Sequence, residues 1–290
     1  MKRRNYSKHT VKNYMNSLKH FVVWINVPVE EVSNKKILEY IDRLIDKRLK
    51  PKTINCHLDS IRGFYEYLIN EEDVRITNPV KKGYALRLSK PLPRHLRDEE
   101  VDILFAAINS YRDRAMFRVM LRCGLRVEEV SNLMLGDIYL KRRRIFVRNG
   151  KGGKDRVVYI SDDAYRDLIE YLRLRQPSRT KQVFLVEKGT CKGKPISVRG
   201  IQKRMEYYAR KTKLKLSCHQ LRHTMATQLL NADMALVSIQ DLLGHKRIRT
   251  TERYIKVSNR KVERDYYKAI EVVLGRSQRG LPACKPKSRL

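Results

Sequence analysis

The stretch SCHQLRHTMATQLLNADMALVSIQDLLGHKRIRTTERYIKV, residues 217–257, decides how the rest of the chain is interpreted. A capping box of the form S-x-x-Q starts at Ser217 and predicts a helix that begins at Cys218. His219 and Arg222 are three residues apart on that helix, so we expect them to share one face.

A second helical pattern ends where Gly244 can adopt the left-handed conformation that terminates a helix. His245 follows directly, on a predicted sharp turn. Thr250 or Thr251 is a good N-cap for a third helix, which places Tyr254 in or just after its first turn. The N-terminal end of a helix suits a phosphate or a phenolate. An arginine, two histidines and a tyrosine around one phosphate indicate nucleophilic attack on a phosphodiester.

These motifs resemble box II of the tyrosine recombinase (phage integrase, Xer-like) family: HQLRHT at 219–224, LGH at 243–245 and TTERY at 250–254. Upstream, GLRVEE at 124–129 resembles box I of the family, whose arginine would be Arg126. Taken alone, Arg126 means little in a chain with 64 lysines and arginines. The joint order and spacing of the motifs favour the functional interpretation.

Two β-branched and aromatic segments, 144–148 and 156–160, flank a glycine-rich stretch, which predicts a β-hairpin. The stretch is not a P-loop, because Lys154 is followed by Asp155 instead of serine or threonine. The resemblance implies a catalytic lysine at the hairpin tip and places it at Lys151, with Lys154 as the alternative. Either ammonium could reach into a groove and donate a proton.

The resemblance implies a catalytic set of six side chains: Arg126, Lys151, His219, Arg222, His245 and Tyr254. Tyr254 would be the nucleophile that forms a 3′-phosphotyrosyl bond with DNA. A phenol with a pKa of about 10 is ionised to roughly one part in a thousand near neutral pH, so it needs a base, and His219 is the expected one. Arg126 and Arg222 would hold the non-bridging oxygens of the scissile phosphate, and His245 would donate a further hydrogen bond to it. Lys151 would protonate the leaving 5′-oxygen.

The same residues allow a zinc interpretation, because His219 and His223 have the i, i+4 spacing of a zinc helix. The segment lacks the glutamate of HExxH and carries Arg222 on the adjoining face, so no metal site is predicted. No cofactor is expected for the implied chemistry.

Composition points to a polyanionic partner. The 290 residues carry a net charge of +33, and the cations are spread along the whole chain. Double-stranded DNA is the expected partner. Five scattered cysteines without a CxxC pair argue against a disulfide framework and fit a reducing cytoplasm. The apolar run nearest the N-terminus, 21–25, is too short to span a bilayer, so no membrane partner is expected.

The predicted fold is mostly α (α+β). An N-terminal helical core-binding (SAM-like) domain is expected over residues 1–82, followed by an extended and mobile linker over 83–93. A mixed α/β catalytic domain with a small antiparallel β-sheet is expected over 94–275, including a short strand at 183–185. Residues 276–290 form a basic tail that is predicted to be disordered.

The resemblance implies site-specific DNA recombination or integration through a Holliday junction, by a homo-tetramer on two DNA sites. Accessory proteins are not identified. No additional arm-binding domain is expected, because the first helix starts near Ser7, and this favours an Xer-like recombinase or small integrase. A type IB topoisomerase and a non-catalytic DNA-binding regulator are the alternatives.

Overall fold

The structure is a computed structural model, and it describes residues 6, 8–88, 94–148 and 155–244, without the side chains of residues 8 and 9. Within these ranges the chain forms ten α-helices and one three-stranded antiparallel sheet, which confirms the predicted mostly helical fold class. The chain divides into two compact units, residues 1–91 and residues 92–290. In the part of the chain so described, no helix has both the length and the apolarity needed to cross a membrane.

Unit 1 is built from three helices: α1 (Lys8–Ile25), α2 (Asn34–Asp46) and α3 (Pro51–Glu71). The hydroxyl of Ser33 caps α2 by accepting a hydrogen bond from the backbone N–H of Lys36, and Pro51 occupies the first turn of α3. The apolar sides of the helices meet in one core. There the rings of Phe21 and Tyr40 lie edge to face with centroids 5.1 Å apart.

The start of the predicted linker belongs to unit 1. The Asn55 amide donates to the Leu86 carbonyl at 2.9 Å, and its side-chain oxygen accepts from the Leu86 N–H at 2.8 Å. Tyr84 and Leu86 also pack against the core of the three helices. Hydrogen bonds and apolar contacts therefore connect the first residues of the predicted 83–93 linker to the helices of unit 1, and the mobility of the linker stays a prediction. The domain boundaries at residues 82 and 94 stay predictions.

Unit 2 contains seven helices: α4 (Asp98–Ala107), α5 (Tyr111–Arg122), α6 (Val127–Ser131), α7 (Asp162–Leu174), α8 (Val198–Thr212), α9 (Cys218–Asn231) and α10 (Leu236–Leu243). α5 lies at the centre and packs against both α7 and α9. Arg118 and Arg122, one turn apart on α5, bind Asp167 and Asp163 on α7, at 2.8 Å in both cases. Apolar burial and ion pairs thus fix α5, and α5 in turn supports the candidate site.

The sheet consists of β1 (Ile138–Tyr139), β2 (Arg144–Val147) and β3 (Arg156–Tyr159), antiparallel and in that order. β2 and β3 form the predicted hairpin. Ile145 pairs with Val158, and both are fully buried, which fixes the register by packing. Val147 pairs with Arg156, and these are the last residue of β2 and the first of β3.

The short strand predicted at 183–185 does not form. The backbone here makes two isolated bridges instead, Met134 with Gln182 and Leu185 with Pro195. The Val183 N–H donates to the Leu133 carbonyl at 2.8 Å, whereas the Ile196 N–H donates to the Phe184 carbonyl at 3.0 Å. The segment is apolar because it is buried, but it pairs with a different piece of chain on each side, so no continuous ladder develops.

α9 begins at Cys218, as the sequence predicts. The Ser217 hydroxyl accepts a hydrogen bond from the Gln220 N–H at 3.3 Å. One turn further along, the Thr224 hydroxyl accepts from the Leu96 N–H at 2.9 Å inside the unit. The cap and this buried contact fix both the start and the rotation of the helix that carries His219 and Arg222.

Candidate active site

Arg126 lies immediately before α6 and is held by the glutamate three residues later. Glu129 accepts from the Arg126 backbone N–H at 2.7 Å with one oxygen and from Nη1 at 2.7 Å with the other. The carboxylate therefore caps the positive end of α6 and sets the direction of the arginine side chain. Nη2 of Arg126 donates to the carbonyls of Leu243 and Gly244, at 3.2 Å each.

Arg222 comes to the same place from α9. Its side chain is almost completely buried, with 1% of the residue exposed, and it donates to the carbonyls of Gly124 and Leu243. Gly124 has a φ of +64°, and a Cβ there would lie 2.5 Å from the Met225 sulfur, so this turn requires glycine. The Leu243 carbonyl accepts from both Arg222 and Arg126. Two of the predicted catalytic residues thus meet at one oxygen atom.

A third arginine, Arg156, completes the cluster. Its Nε donates to the Leu242 carbonyl at 2.8 Å, and its two terminal nitrogens donate to the two oxygens of Glu129 at 2.8 and 2.7 Å. Gly244 ends α10 with a φ of +60°, and a Cβ there would lie 3.1 Å from Cδ of Arg156. Sequence reasoning did not single out Arg156 or the role of Glu129. Two signals were present: the spacing of three residues after Arg126, and the final arginine of the GKGGKDR segment.

The cluster keeps a surplus of positive charge. Arg126 and Arg156 contact the Glu129 carboxylate, and Arg222 joins them at the Leu243 carbonyl, so these four described side chains carry 3 − 1 = +2 at the C-terminal end of α10. Burial alone would raise the pKa of Glu129, but the hydrogen bonds and charges of Arg156 and Arg126 outweigh it and lower that pKa to about 2. The carbonyls of Leu242, Leu243 and Gly244, which accept from the same arginines, are neutral groups that carry only the partial negative charge of a helix end.

His219 is placed differently from Arg222. It is exposed on the first turn of α9, and its ring centroid lies 4.2 Å from that of His223, with the planes at 71°. His219 and Arg222 are neighbours along the helix, but the Arg222 side chain points into the protein and reaches buried carbonyls. His219 and Arg222 are thus three residues apart on α9, as expected, but His219 is exposed whereas Arg222 is buried.

The remaining members of the predicted set lie outside the described residues: Lys151, its alternative Lys154, His245 and Tyr254. The described chain reaches Gly244, directly before His245, and resumes at Asp155, directly after Lys154. Three of the six predicted residues are therefore described. Among all the described side chains, no group of three or more histidines, cysteines, aspartates or glutamates is arranged to hold a metal ion.

Comparison with known proteins matches the sequence to two families. Residues 94–261 match the phage integrase family, and residues 1–73 match the phage integrase N-terminal SAM-like domain. The chain is 31% identical over 283 residues to tyrosine recombinase XerC of Staphylococcus haemolyticus (strain JCSC1435), and the match covers 92% of each chain.

Solved structures give the same likeness. The crystal structure of XerA recombinase is 26% identical, with a TM-score of 0.56, and the match covers 93% of this chain and 95% of that one. XerH site-specific recombinase, bound to a palindromic difH substrate in a post-cleavage complex, has a TM-score of 0.74 at 20% identity. That match covers 91% of this chain and 80% of XerH.

Proposed function

Because this chain belongs to the phage integrase family of tyrosine recombinases, we propose that its arginine cluster binds the scissile phosphate of duplex DNA for attack by Tyr254. The chain is a site-specific DNA recombinase. One observation carries the assignment of the site: the guanidinium groups of Arg126 and Arg222 converge on the Leu243 carbonyl. Two cations from distant parts of the sequence are therefore within one hydrogen bond of the same point.

In the proposed reaction the Tyr254 phenol loses its proton to His219 and attacks phosphorus. A 3′-phosphotyrosyl bond forms as the bond to the 5′-oxygen breaks, and Lys151 protonates that oxygen. Arg126 and Arg222 hold the non-bridging oxygens, whose negative charge grows in the transition state. The covalent bond conserves the phosphodiester, so a 5′-hydroxyl from another strand can reverse the step. Strand exchange then proceeds through a Holliday junction.

The carbonyls at the end of α10 act as substitutes for the phosphate before DNA binds. A phosphate oxygen is a stronger acceptor for a guanidinium than a carbonyl, because it carries negative charge and two phosphate oxygens can accept in parallel from one arginine. Arg222 is buried, so contact with phosphate requires its bond to Leu243 to open. We therefore expect DNA to exchange carbonyl contacts for phosphate contacts at Arg126 and Arg222.

Binding to duplex DNA draws on cations in both units. In unit 1, four of them are exposed at the turn between α2 and α3: Lys47, Arg48, Lys50 and Lys52. Such contacts make affinity fall steeply with salt. We also propose a tetramer, because exchange between two duplexes cuts four strands and each copy supplies one Tyr254.

The test is to isolate the covalent intermediate. Wild-type protein is incubated with labelled duplex fragments from the DNA that flanks its gene, and denaturing electrophoresis reports protein-linked DNA. Mass spectrometry of the linked peptide should identify Tyr254, and the linked end gives the cleavage position. Tyr254→Phe should form no adduct, yet it should bind the mapped duplex with wild-type affinity.

Adduct formation by Tyr254→Phe at the wild-type rate would show that another residue is the nucleophile. The mapped duplex then serves for every later measurement. Supercoiled plasmid without the mapped sequence provides the control for reaction type: a recombinase leaves it supercoiled, and general relaxation would indicate topoisomerase activity instead.

A further inference from the structure

The outer side of the three-stranded sheet carries three exposed aromatic rings. Tyr139 on β1, Phe146 on β2 and Tyr159 on β3 are 50%, 40% and 58% exposed. Side chains alternate along a strand, so Ile145 and Val158 point into the core while the three rings point away from it. Among the described residues of unit 2, the apolar core does not include these rings.

The register of the strands aligns these side chains. Tyr139 pairs with Arg144, and Arg144 pairs with Tyr159. Two tyrosines with an arginine between them therefore form one row across the sheet, about 10 Å wide from the usual strand spacing. Cζ of Arg144 lies 5.8 Å from the centre of the Tyr159 ring. The Phe146 ring lies 5.0 Å from that of Tyr139. We call Tyr139, Arg144, Phe146 and Tyr159 the aromatic face.

The charge around the aromatic face is strongly positive. Residues 138–148 contain no aspartate or glutamate and five cations: Lys141, Arg142, Arg143, Arg144 and Arg148. Arg143 is paired with Asp162, and Arg148 is paired with Asp137 at 2.7 Å. An anionic partner is complementary to this surface.

The aromatic face adjoins the arginine cluster through β3. This strand starts at Arg156, which binds Glu129 and the end of α10, and Phe146 pairs with the next residue, Val157. Tyr159 follows three residues after Arg156, about 10 Å along the strand. Arg156 points inward and the rings point outward, and β3 is one of the two edge strands of the described sheet, opposite β1. Single-stranded DNA that extends from the arginine cluster therefore has to pass only β3 before it reaches the aromatic face.

We propose that the aromatic face stacks unpaired bases of single-stranded DNA during strand exchange. The proposal rests on the proposed function, because strands that move between duplexes pass through a state with unpaired bases. Aromatic rings stack on unpaired bases, which are not available inside a duplex, while neighbouring cations bind the phosphates. An acidic protein segment would satisfy the cations but leave the three exposed rings without bases to stack on.

The test compares two DNA probes at an ionic strength of about 0.2 M, where contacts that depend on charge alone are weakened. The probes are a fluorescein-labelled oligothymidine and a labelled duplex of unrelated sequence, with full-length protein. Tyr159→Ala and Phe146→Ala should each weaken oligothymidine binding roughly tenfold, and the double variant more, with duplex affinity unchanged.

Two variants serve as controls. Tyr159→Phe keeps the ring and should bind oligothymidine as the wild type does. Tyr111→Ala removes a ring of similar exposure, 54%, at the start of α5 and should change neither affinity. The substitutions leave the net charge unaltered, so a selective loss of oligothymidine binding reports stacking.

The proposal is overturned if the double variant binds oligothymidine like the wild type, or if both affinities fall together. It is also overturned if the double variant changes only the oligomeric state, which would make the face a contact between protein copies. The assay for protein-linked DNA distinguishes a failure of this proposal from a failure of the proposed function. If Tyr254→Phe still forms adduct while oligothymidine binding depends on the rings, the assignment of the nucleophile fails and the aromatic face stands.

Discussion

Asp113 and Glu129 are two of the carboxylates that arginines bind in unit 2, and the charge balance around them differs. Asp113 accepts from Arg112 at 2.9 and 2.6 Å and from Arg204 at 2.6 Å, with the Tyr208 hydroxyl as a further donor at 3.0 Å. Glu187 lies 3.7 Å from Arg112. Two cations and two anions cancel, 2 − 2 = 0, and the network joins α5 to α8.

The Glu129 cluster also consists of arginines around a carboxylate, but its positive and negative charges do not cancel. Its three described arginines exceed its one described carboxylate by two charges, and each of the three donates to at least one of three successive carbonyls at the end of α10. Neutral acceptors can be replaced by a phosphate at a gain, whereas a bound carboxylate cannot. We therefore interpret the Asp113 network as structural and the Glu129 cluster as an anion site.

The largest expected effect separates the two clusters by activity. Arg222→Gln should slow single-turnover cleavage of the mapped duplex on the order of 10²–10³-fold, as the loss of one donor to a developing oxyanion does. Arg112→Gln, in the balanced network, should change the cleavage rate of the folded protein by less than about threefold. An Arg222→Gln defect confined to the dissociation constant for DNA would make Arg222 a binding residue only.

The balanced Asp113 network should matter for the stability of the protein. Arg112→Ala leaves Asp113 buried with one cation fewer, which costs about 3 kcal/mol. For a unit of this size the melting temperature should fall by roughly 6–12 °C. Calorimetry measures the shift. If Arg112→Ala abolished cleavage without lowering the melting temperature, the two clusters would not differ in the way described.

Acid should reveal the charge on Glu129. Its pKa is lowered to about 2 in the folded protein from an ordinary 4.5, so ionised Glu129 contributes on the order of 3 kcal/mol above pH 4.5. That contribution is lost as the pH falls from 4.5 towards 2. The free energy of unfolding of Glu129→Gln should lie below that of the wild type at pH 7 and approach it at about pH 2.5.

Glu170→Gln provides the control for that titration, because Glu170 forms an exposed ion pair with Arg173 and should give little difference at either pH. A deficit of Glu129→Gln that stays constant from pH 7 to pH 2.5 would contradict the assigned charge.

The smallest expected effect concerns the turn after α10. Gly244→Ala places a Cβ at positive φ, 3.1 Å from Cδ of Arg156, and should cost about 1 kcal/mol with a cleavage rate reduced a few-fold. Gly136→Ala is the matched control, since a Cβ there has no neighbour within 4 Å. Equal behaviour of the two variants in thermal melts and cleavage would show that the turn tolerates a side chain.

Local signals in the sequence predicted much of this architecture. The cap at Ser217 predicted the start of α9 at the residue where it occurs, and the β-branched and aromatic segments 144–148 and 156–160 predicted the pairing of β2 with β3. A short apolar run was ambiguous, and 183–185 became buried irregular chain instead of a strand, because its backbone partners come from two separate segments. Sequence periodicity reports burial and carries no information about which partners the backbone finds.

The site was predictable only in part. Motif spacing selected Arg126 and Arg222, but their acceptors are the carbonyls of residues 124, 243 and 244, and backbone atoms leave no signature in a sequence. The final arginine of the GKGGKDR segment marked the position of Arg156, but its role depends on the position of the end of α10, which that segment does not reveal. Tertiary packing, rather than residue type, makes these arginines one cluster.

The most direct test of the anion site removes the anion. The mapped duplex is prepared with an uncharged methylphosphonate at the scissile position, and single-turnover cleavage is measured for wild type, Arg126→Gln and Arg222→Gln. Residues that bind the charged oxygens become less necessary when that charge is absent. We predict that the defect of at least one variant shrinks by tenfold or more relative to its defect on ordinary phosphate. Defects of unchanged size in both variants would contradict the assignment of the cluster to the scissile phosphate.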